Sequence, residues 1–219
     1  MMSFCLSAQR QEVTTFLNIP VDGSIAHFKR EILSKGFAWS PRMKCYSGEF
    51  NGVDVGLSIV TQKNKVWRVT LLDAEFQDEA QVKIRFNKLC SQFERNKRYI
   101  QNPFFEIGQQ MIPEGEDISH EMDVNDKVYE ACLYQIPDNM DVEKETEEIY
   151  EAARKGFSDE ELENPSEEVK NKYLHSVLDG WAEVFGKRVV WFKIVRIGRE
   201  YGIAMFYDNP FNQADGSDL

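Results

Sequence analysis

Apolar residues recur along this chain with two distinct periods. From Val53 to Val60 they alternate, with Val53, Val55, Leu57 and Ile59 on one side and Asp54, Gly56 and Ser58 on the other. That is the period of a strand with one buried face. Asn51-Gly52, just before it, accepts the positive φ angles of a tight type I′ hairpin turn. A polar turn over Thr61–Lys65 leads into Val66–Leu72, which completes an antiparallel meander with one apolar face. Upstream, the pattern predicts a strand ending at Pro20, a turn through Asp22 and Gly23, and a helix of about three turns. Ile25, Phe28 and Ile32 form one stripe of that helix, which makes it the cover for the meander. Asp22 or Ser24 caps its start, and Gly36 stops it with Phe37 folding back on Leu33.

A longer helical pattern runs from Asp78 to Tyr99, where Val82, Phe86, Leu89 and Phe93 make a buried seam. Its other sides carry Lys83, Arg85, Lys88, Arg95, Lys97 and Arg98. Asn102-Pro103 breaks it. Strand-like runs follow at Phe104–Ile107 and Val128–Tyr134, separated by an acidic segment from Glu114 to Asp126. A glutamate-rich helix over Val142–Lys155 turns Val142, Thr146, Ile149, Tyr150 and Ala153 inward. Asn164-Pro165-Ser166-Glu167 starts another, with Asn164 as cap and Pro165 in the first position. That helix buries Val169, Tyr173, Val177, Trp181 and Phe185. A hairpin closes the chain, Arg188–Val195 and Tyr201–Tyr207 around Gly198.

Adjacent strands are joined by hairpins, so the class is α+β, antiparallel β-meanders packed by helices in two loosely similar halves. The expected organisation is a signal-peptide remnant at 1–8, a first half at 9–102 and a second, acidic half at 103–219 that can share one core with the first. The net charge of −11 is uneven: residues 1–110 hold 15 Lys/Arg against 11 Asp/Glu, and residues 111–170 hold 5 against 20. An acidic chain of this kind is not a nucleic-acid binder, and the basic helix has a partner of opposite sign in the acidic block. No run approaches the roughly 18 apolar residues of a membrane span. Leu6-Ser7-Ala8 before Gln9 has the form of a signal cleavage site without the basic start of such peptides, and the alternative is an ordinary terminus beginning at Met1.

Candidate chemistry is sparse. Cys45, Cys90 and Cys132 have no CxxC spacing and are read as buried thiols, with one disulfide as the alternative. His27 and His175 lie on helices without a local partner, and no nucleophile elbow, phosphate loop or dinucleotide glycine pattern is present. His120 and Glu121 with Asp117, Asp123 and Asp126 are metal-ligand types that suit Ca²⁺. Their spacing matches neither an EF-hand nor HExxH, and a solvated acidic turn is the better reading. Asn212, Asp215, Gly216 and Asp218 are similar. Trp39, Trp67, Trp181 and Trp191 with Phe50, Phe104 and Phe192 are expected in packing rather than in a ligand groove. No catalytic, cofactor or metal residue is assigned.

Ile19-Pro20-Val21-Asp22-Gly23-Ser24, Lys35-Gly36-Phe37 and Gly48-Glu49-Phe50-Asn51-Gly52 resemble a group of uncharacterised exported proteins of gut anaerobes. In that group a cleaved signal ending in Ala-Gln precedes a Phe-x-Gly-Ile-Pro-Val-Asp-Gly-like opening. The resemblance covers mainly residues 9–100 and the last fifteen, and Asn18 stands where the group has Gly. It implies a periplasmic or envelope location and assigns no activity. The first reading is therefore a non-catalytic exported binding or interaction protein with a protein or small-ligand partner. A hydrolase or metal-dependent enzyme with a scattered site comes second, and a cytosolic accessory protein third.

Overall fold

The structure, a computed structural model, describes residues 13–101 and 110–214. Its first strands are two residues each: β1 (Thr15–Phe16) pairs antiparallel with β2 (Ile19–Pro20). The single strand expected up to Pro20 is therefore a small hairpin. Leu17 and Asn18 turn it at φ +50° and +64°, the two positive angles of a type I′ turn. Helix α1 (Ile25–Ser34) is capped by Ser24, whose hydroxyl accepts the His27 N–H at 3.3 Å. It ends in a Schellman motif: the Gly36 N–H donates to the Leu33 carbonyl (3.2 Å) and the Phe37 N–H to that of Ile32 (3.3 Å). Phe37 does not lie on Leu33 as expected. Leu33 is 51% exposed, whereas Phe37 is buried against the Phe16 ring and over Gly48.

The meander consists of β3 (Ala38–Ser40), β4 (Cys45–Phe50), β5 (Val53–Gln62) and β6 (Lys65–Asp73). Asn51-Gly52 turns β4 into β5, and Lys63-Asn64, at φ +48° and +64°, repeats the geometry between β5 and β6. Helix α2 (Glu79–Glu94) starts at Asp78, whose carboxylate accepts the Gln81 N–H at 2.9 Å. Its predicted seam is buried, but it stops five residues short of Tyr99. Tyr99 begins β7 (Tyr99–Gln101), where ladder hydrogen bonds replace helical ones.

Past the undescribed residues come α3 (Ile118–Val124), β8 (Glu130–Gln135), α4 (Val142–Arg154), α5 (Asp159–Glu163), α6 (Glu167–Val184), β9 (Val189–Ile197) and β10 (Glu200–Asp208). A 3₁₀ turn at Pro210–Asn212 follows. The strand expected at Phe104–Ile107 lies outside the described residues, as do the proposed signal remnant and Asp215–Asp218. The acidic segment is not a loop throughout, because Asp117 caps α3 within it. Ser166, not Asn164, caps α6: its hydroxyl accepts the Val169 N–H at 3.3 Å. Pro165 keeps Asn164 out of helical geometry, and Asn164 instead ends α5, a helix with no apolar pattern to announce it.

All eight strands β3 to β10 form one antiparallel sheet, in the order β3-β4-β5-β6-β10-β9-β8-β7. The two meanders meet where Arg68–Leu72 of β6 pair with Ala204–Asp208 of β10. Helices α1 and α2 cover one face, burying Phe28, Ile32 and Phe86 against Leu57, Leu71, Phe192 and Ile203. Each such side chain removed from water contributes about 1.5–3 kcal/mol. On β8, Leu133 belongs to this core while its neighbour Tyr134 belongs to a second cluster with Ile149, Val177, Trp181 and Phe185. Successive strand residues face opposite ways, so the α4–α6 pair packs on the other face, at the β7–β8 end. The glutamate helix α4 thus docks on α6 and not on the basic helix α2. Among the described residues no helix is long and apolar enough to cross a membrane.

Candidate functional site

Two tight hairpin turns and a helix end converge on one opening. The β1–β2 hairpin is held down by its flanks. The Thr14 hydroxyl donates to the Asp208 carbonyl, and the buried Asn209 amide donates to the Val21 carbonyl at 2.7 Å. The Gln135 side chain bonds both backbone groups of Thr15, accepting its N–H and donating to its C=O at 2.7 Å each. Leu17, at the tip, overhangs the sheet. Opposite it stand Glu49, Phe50 and Asn51 of the β4–β5 hairpin; the C-terminal half of α2 supplies Leu89, Gln92 and Phe93, and Asn96 follows just past its end. Tyr99, Met205 and Tyr207 form the remaining wall and floor. The cleft so enclosed has a volume of about 390 Å³, within the range of small-molecule sites.

Its body is apolar and its rim is polar, amides together with the Glu49 carboxylate. Phe93 meets Tyr99 edge to face, with ring centroids 4.8 Å apart, and Phe50 stands edge to face with Tyr207. The Asn51 amide donates to Gln92 Oε1 at 2.8 Å and Gln92 donates back at 3.4 Å, a reciprocal pair that ties the β4–β5 turn to α2 across the rim. Beneath, the Tyr207 hydroxyl is hydrogen-bonded to Tyr99, which also accepts from Gln135 Nε2 at 3.2 Å. Complete burial holds the Tyr207 phenol well above the ordinary tyrosine range, the Tyr99 ring beside it adds to this, and Arg98 opposes it. The Tyr207 hydroxyl is thereby kept protonated, a donor and acceptor and not a base.

The other openings are built differently. A surface of about 510 Å³ along Glu168, Lys172, His175 and Asp179 is the outer side of α6 alone, without facing walls. A depression of about 220 Å³ at Asp54, Glu75 and Gln77 is closed by the Arg85–Asp73 pair. Asp73 accepts from Arg85 Nη2 at 2.6 Å and Nε at 2.7 Å, and from the Ile203 N–H at 2.9 Å. Those acceptors hold β6, α2 and β10 together and leave the carboxylate no further role. A groove of about 320 Å³ separates Arg154 and Leu162 from Val169 and Tyr173.

The residues singled out from sequence are scattered. His27, His120 and His175 are exposed on α1, α3 and α6. Asp117 caps α3, Glu121 accepts from Asn125 at 2.9 Å, and Asp123 pairs with Arg196 at 2.6 Å. Among the described residues no group of three or more His, Cys, Asp or Glu is placed to hold a metal ion. Cys45, Cys90 and Cys132 are free thiols. Burial pushes Cys90 up to about 12 and Cys132 up to about 11, away from the thiolate form that nucleophilic chemistry needs. Of the aromatic residues considered for a groove, only Phe50 lines the cleft; Phe192 is core and Phe104 lies outside the described residues. The cleft residues sequence reasoning missed are Leu17, Gln92, Asn96, Tyr99, Met205 and Tyr207. A hint existed in the Asn-Gly hairpin facing the polar end of a helix, but register decides that they meet.

Comparison with known families, curated proteins and solved structures finds no match to this chain.

Proposed function

We propose that the protein is an exported, non-catalytic binding protein whose ligand occupies the cleft between α2, β10 and the two hairpin tips. The observation that carries this reading is the composition of the walls. An apolar body and a rim of amides provide contact area and hydrogen bonds, while Glu49, the ionic group among the described lining residues, has no nucleophile beside it. Export is supported by the Leu6-Ser7-Ala8-Gln9 run and by the resemblance to exported proteins of gut anaerobes. N-terminal sequencing of the native protein checks it: a start at Gln9 supports export, and a start at Met1 or Met2 supports a cytosolic accessory protein.

The binding reading is tested by screening uncharged fragments with ligand-observed NMR against the wild type and Gln92→Trp. Gln92 is exposed at the mouth, so a bulky ring there closes the cleft without entering the core. Fragments that bind the wild type and are lost in the variant are expected. A screen in which every binder survives the substitution sinks the proposal.

A further inference from the structure

We infer that the ligand class of this cleft is an uncharged ring compound carrying hydroxyl or amide groups on its edge; the inference rests on the binding reading above. Size comes first. A cavity of about 150 Å³ suffices for benzene, so about 390 Å³ leaves room for more than a single ring.

Shape follows from the aromatic walls. Phe93 is fixed by its near-parallel contact with Phe192, centroids 5.6 Å apart, and by its edge contact with Tyr99. Phe50 is fixed against Phe16 at 5.4 Å. Rigid rings on two sides favour a flat apolar body over a flexible chain, because little side-chain freedom is lost on contact.

Charge is decided by what the lining lacks and what it contains. Among the described lining residues there is no Lys or Arg, and the one ionic group, Glu49, is a carboxylate. A bound anion would lose its hydration without gaining a counter-charge from these walls. Arg98, close enough to act on Tyr207, is exposed and screened. The edge groups are matched by Asn51, Gln92 and Asn96, whose amides both donate and accept. The Asn51–Gln92 pair can exchange its mutual hydrogen bonds for bonds to a neutral hydroxyl or amide with no net loss.

The test compares two bicyclic probes of one shape, 2-naphthol and 2-naphthoate, by calorimetric titration of the full chain at neutral pH, repeated with Gln92→Trp. The proposal predicts that 2-naphthol binds about tenfold or more tightly than the anion. It also predicts that the variant weakens 2-naphthol by at least about tenfold. Should 2-naphthoate bind equally or better and still be lost in the variant, the ligand class is overturned and the cleft stands. Should neither probe bind, or both bind regardless of the variant, the cleft reading itself falls and takes the ligand class with it.

Discussion

The two faces of the eight-stranded sheet are built from similar residue types and end up with opposite characters. On the face covered by α1 and α2, aromatic rings of sheet and helix meet: Phe86 and Phe93 of α2 lie 5.2 and 5.6 Å from Phe192 of β9. On the other face, away from the α4–α6 pair, the rings meet each other. Trp191 of β9 and Phe206 of β10 are cross-strand partners stacked at 4.0 Å and 16°. Arg68 lies 4.5 Å from the Trp67 ring and 5.1 Å from Phe206, and its guanidinium forks onto Asp208 at 2.6 Å twice. Trp191 Nε1 donates to the same carboxylate at 2.9 Å. A sheet can thus leave one face half-exposed. Cross-strand stacking and a bidentate ion pair occupy the aromatic and polar groups within the sheet itself. The covered face, filled by helices, opens at the cleft.

That comparison can be broken in order of severity. Phe192→Ala on the covered face should cost about 3–5 kcal/mol, because its neighbours are locked and cannot close the cavity; urea unfolding followed by far-UV dichroism measures it. A loss of less than about 1 kcal/mol, against a core substitution's usual range, would mean that this face is not the main core. Arg68→Met on the other face should cost about 2 kcal/mol by stripping two charge-assisted hydrogen bonds from Asp208. The loss should persist in high salt, since Asp208 is mostly buried; a loss that vanishes with salt would reduce the pair to surface electrostatics.

The pH dependence sharpens the covered face at its α3 end. Glu116 is held below its ordinary carboxylate value by the hydrogen bond from Lys127 and then by that from the Tyr129 hydroxyl. A carboxylate with a depressed folded pKa adds stability above its unfolded pKa, near 4.5, and loses it as pH falls through the lower folded value. Glu116→Gln should therefore flatten the decline in urea midpoint below pH 4.5 while lowering the midpoint at neutral pH; parallel curves for the two proteins would refute this assignment. The smallest effect is expected for Gln92→Ala, about 0.5 kcal/mol for an exposed amide pair. Its thermal midpoint checks that the rim pair is a matter of binding and not of folding.

Most of the covered face was legible in the sequence because its determinants are local. The α2 seam follows from helical spacing, the β4–β5 hairpin from Asn-Gly, and the Schellman stop from Gly36. Where a second tight turn used Leu17-Asn18 or Lys63-Asn64, the residue types gave weaker signals, since only tertiary clamps such as Gln135 on Thr15 hold them. The end of α2 was misplaced because Arg95, Lys97 and Arg98 have good helical propensity, and β-pairing of Tyr99–Gln101 with β8 overrides it. The cleft was not legible. Leu17, Asn51, Gln92 and Met205 come from four distant stretches whose meeting depends on β6 pairing with β10, a register that no local pattern encodes.

The central claim, that the opening in the covered face is where a ligand sits, is tested most directly by methyl-resolved NMR during titration with 2-naphthol. The methyl groups of Leu17, Leu89 and Met205 report on the cleft, and those of Met43, Val60 and Leu72 are exposed reporters elsewhere. The account predicts saturable shifts in the first set with the second unmoved; shifts confined to Met43, Val60 and Leu72 would contradict it.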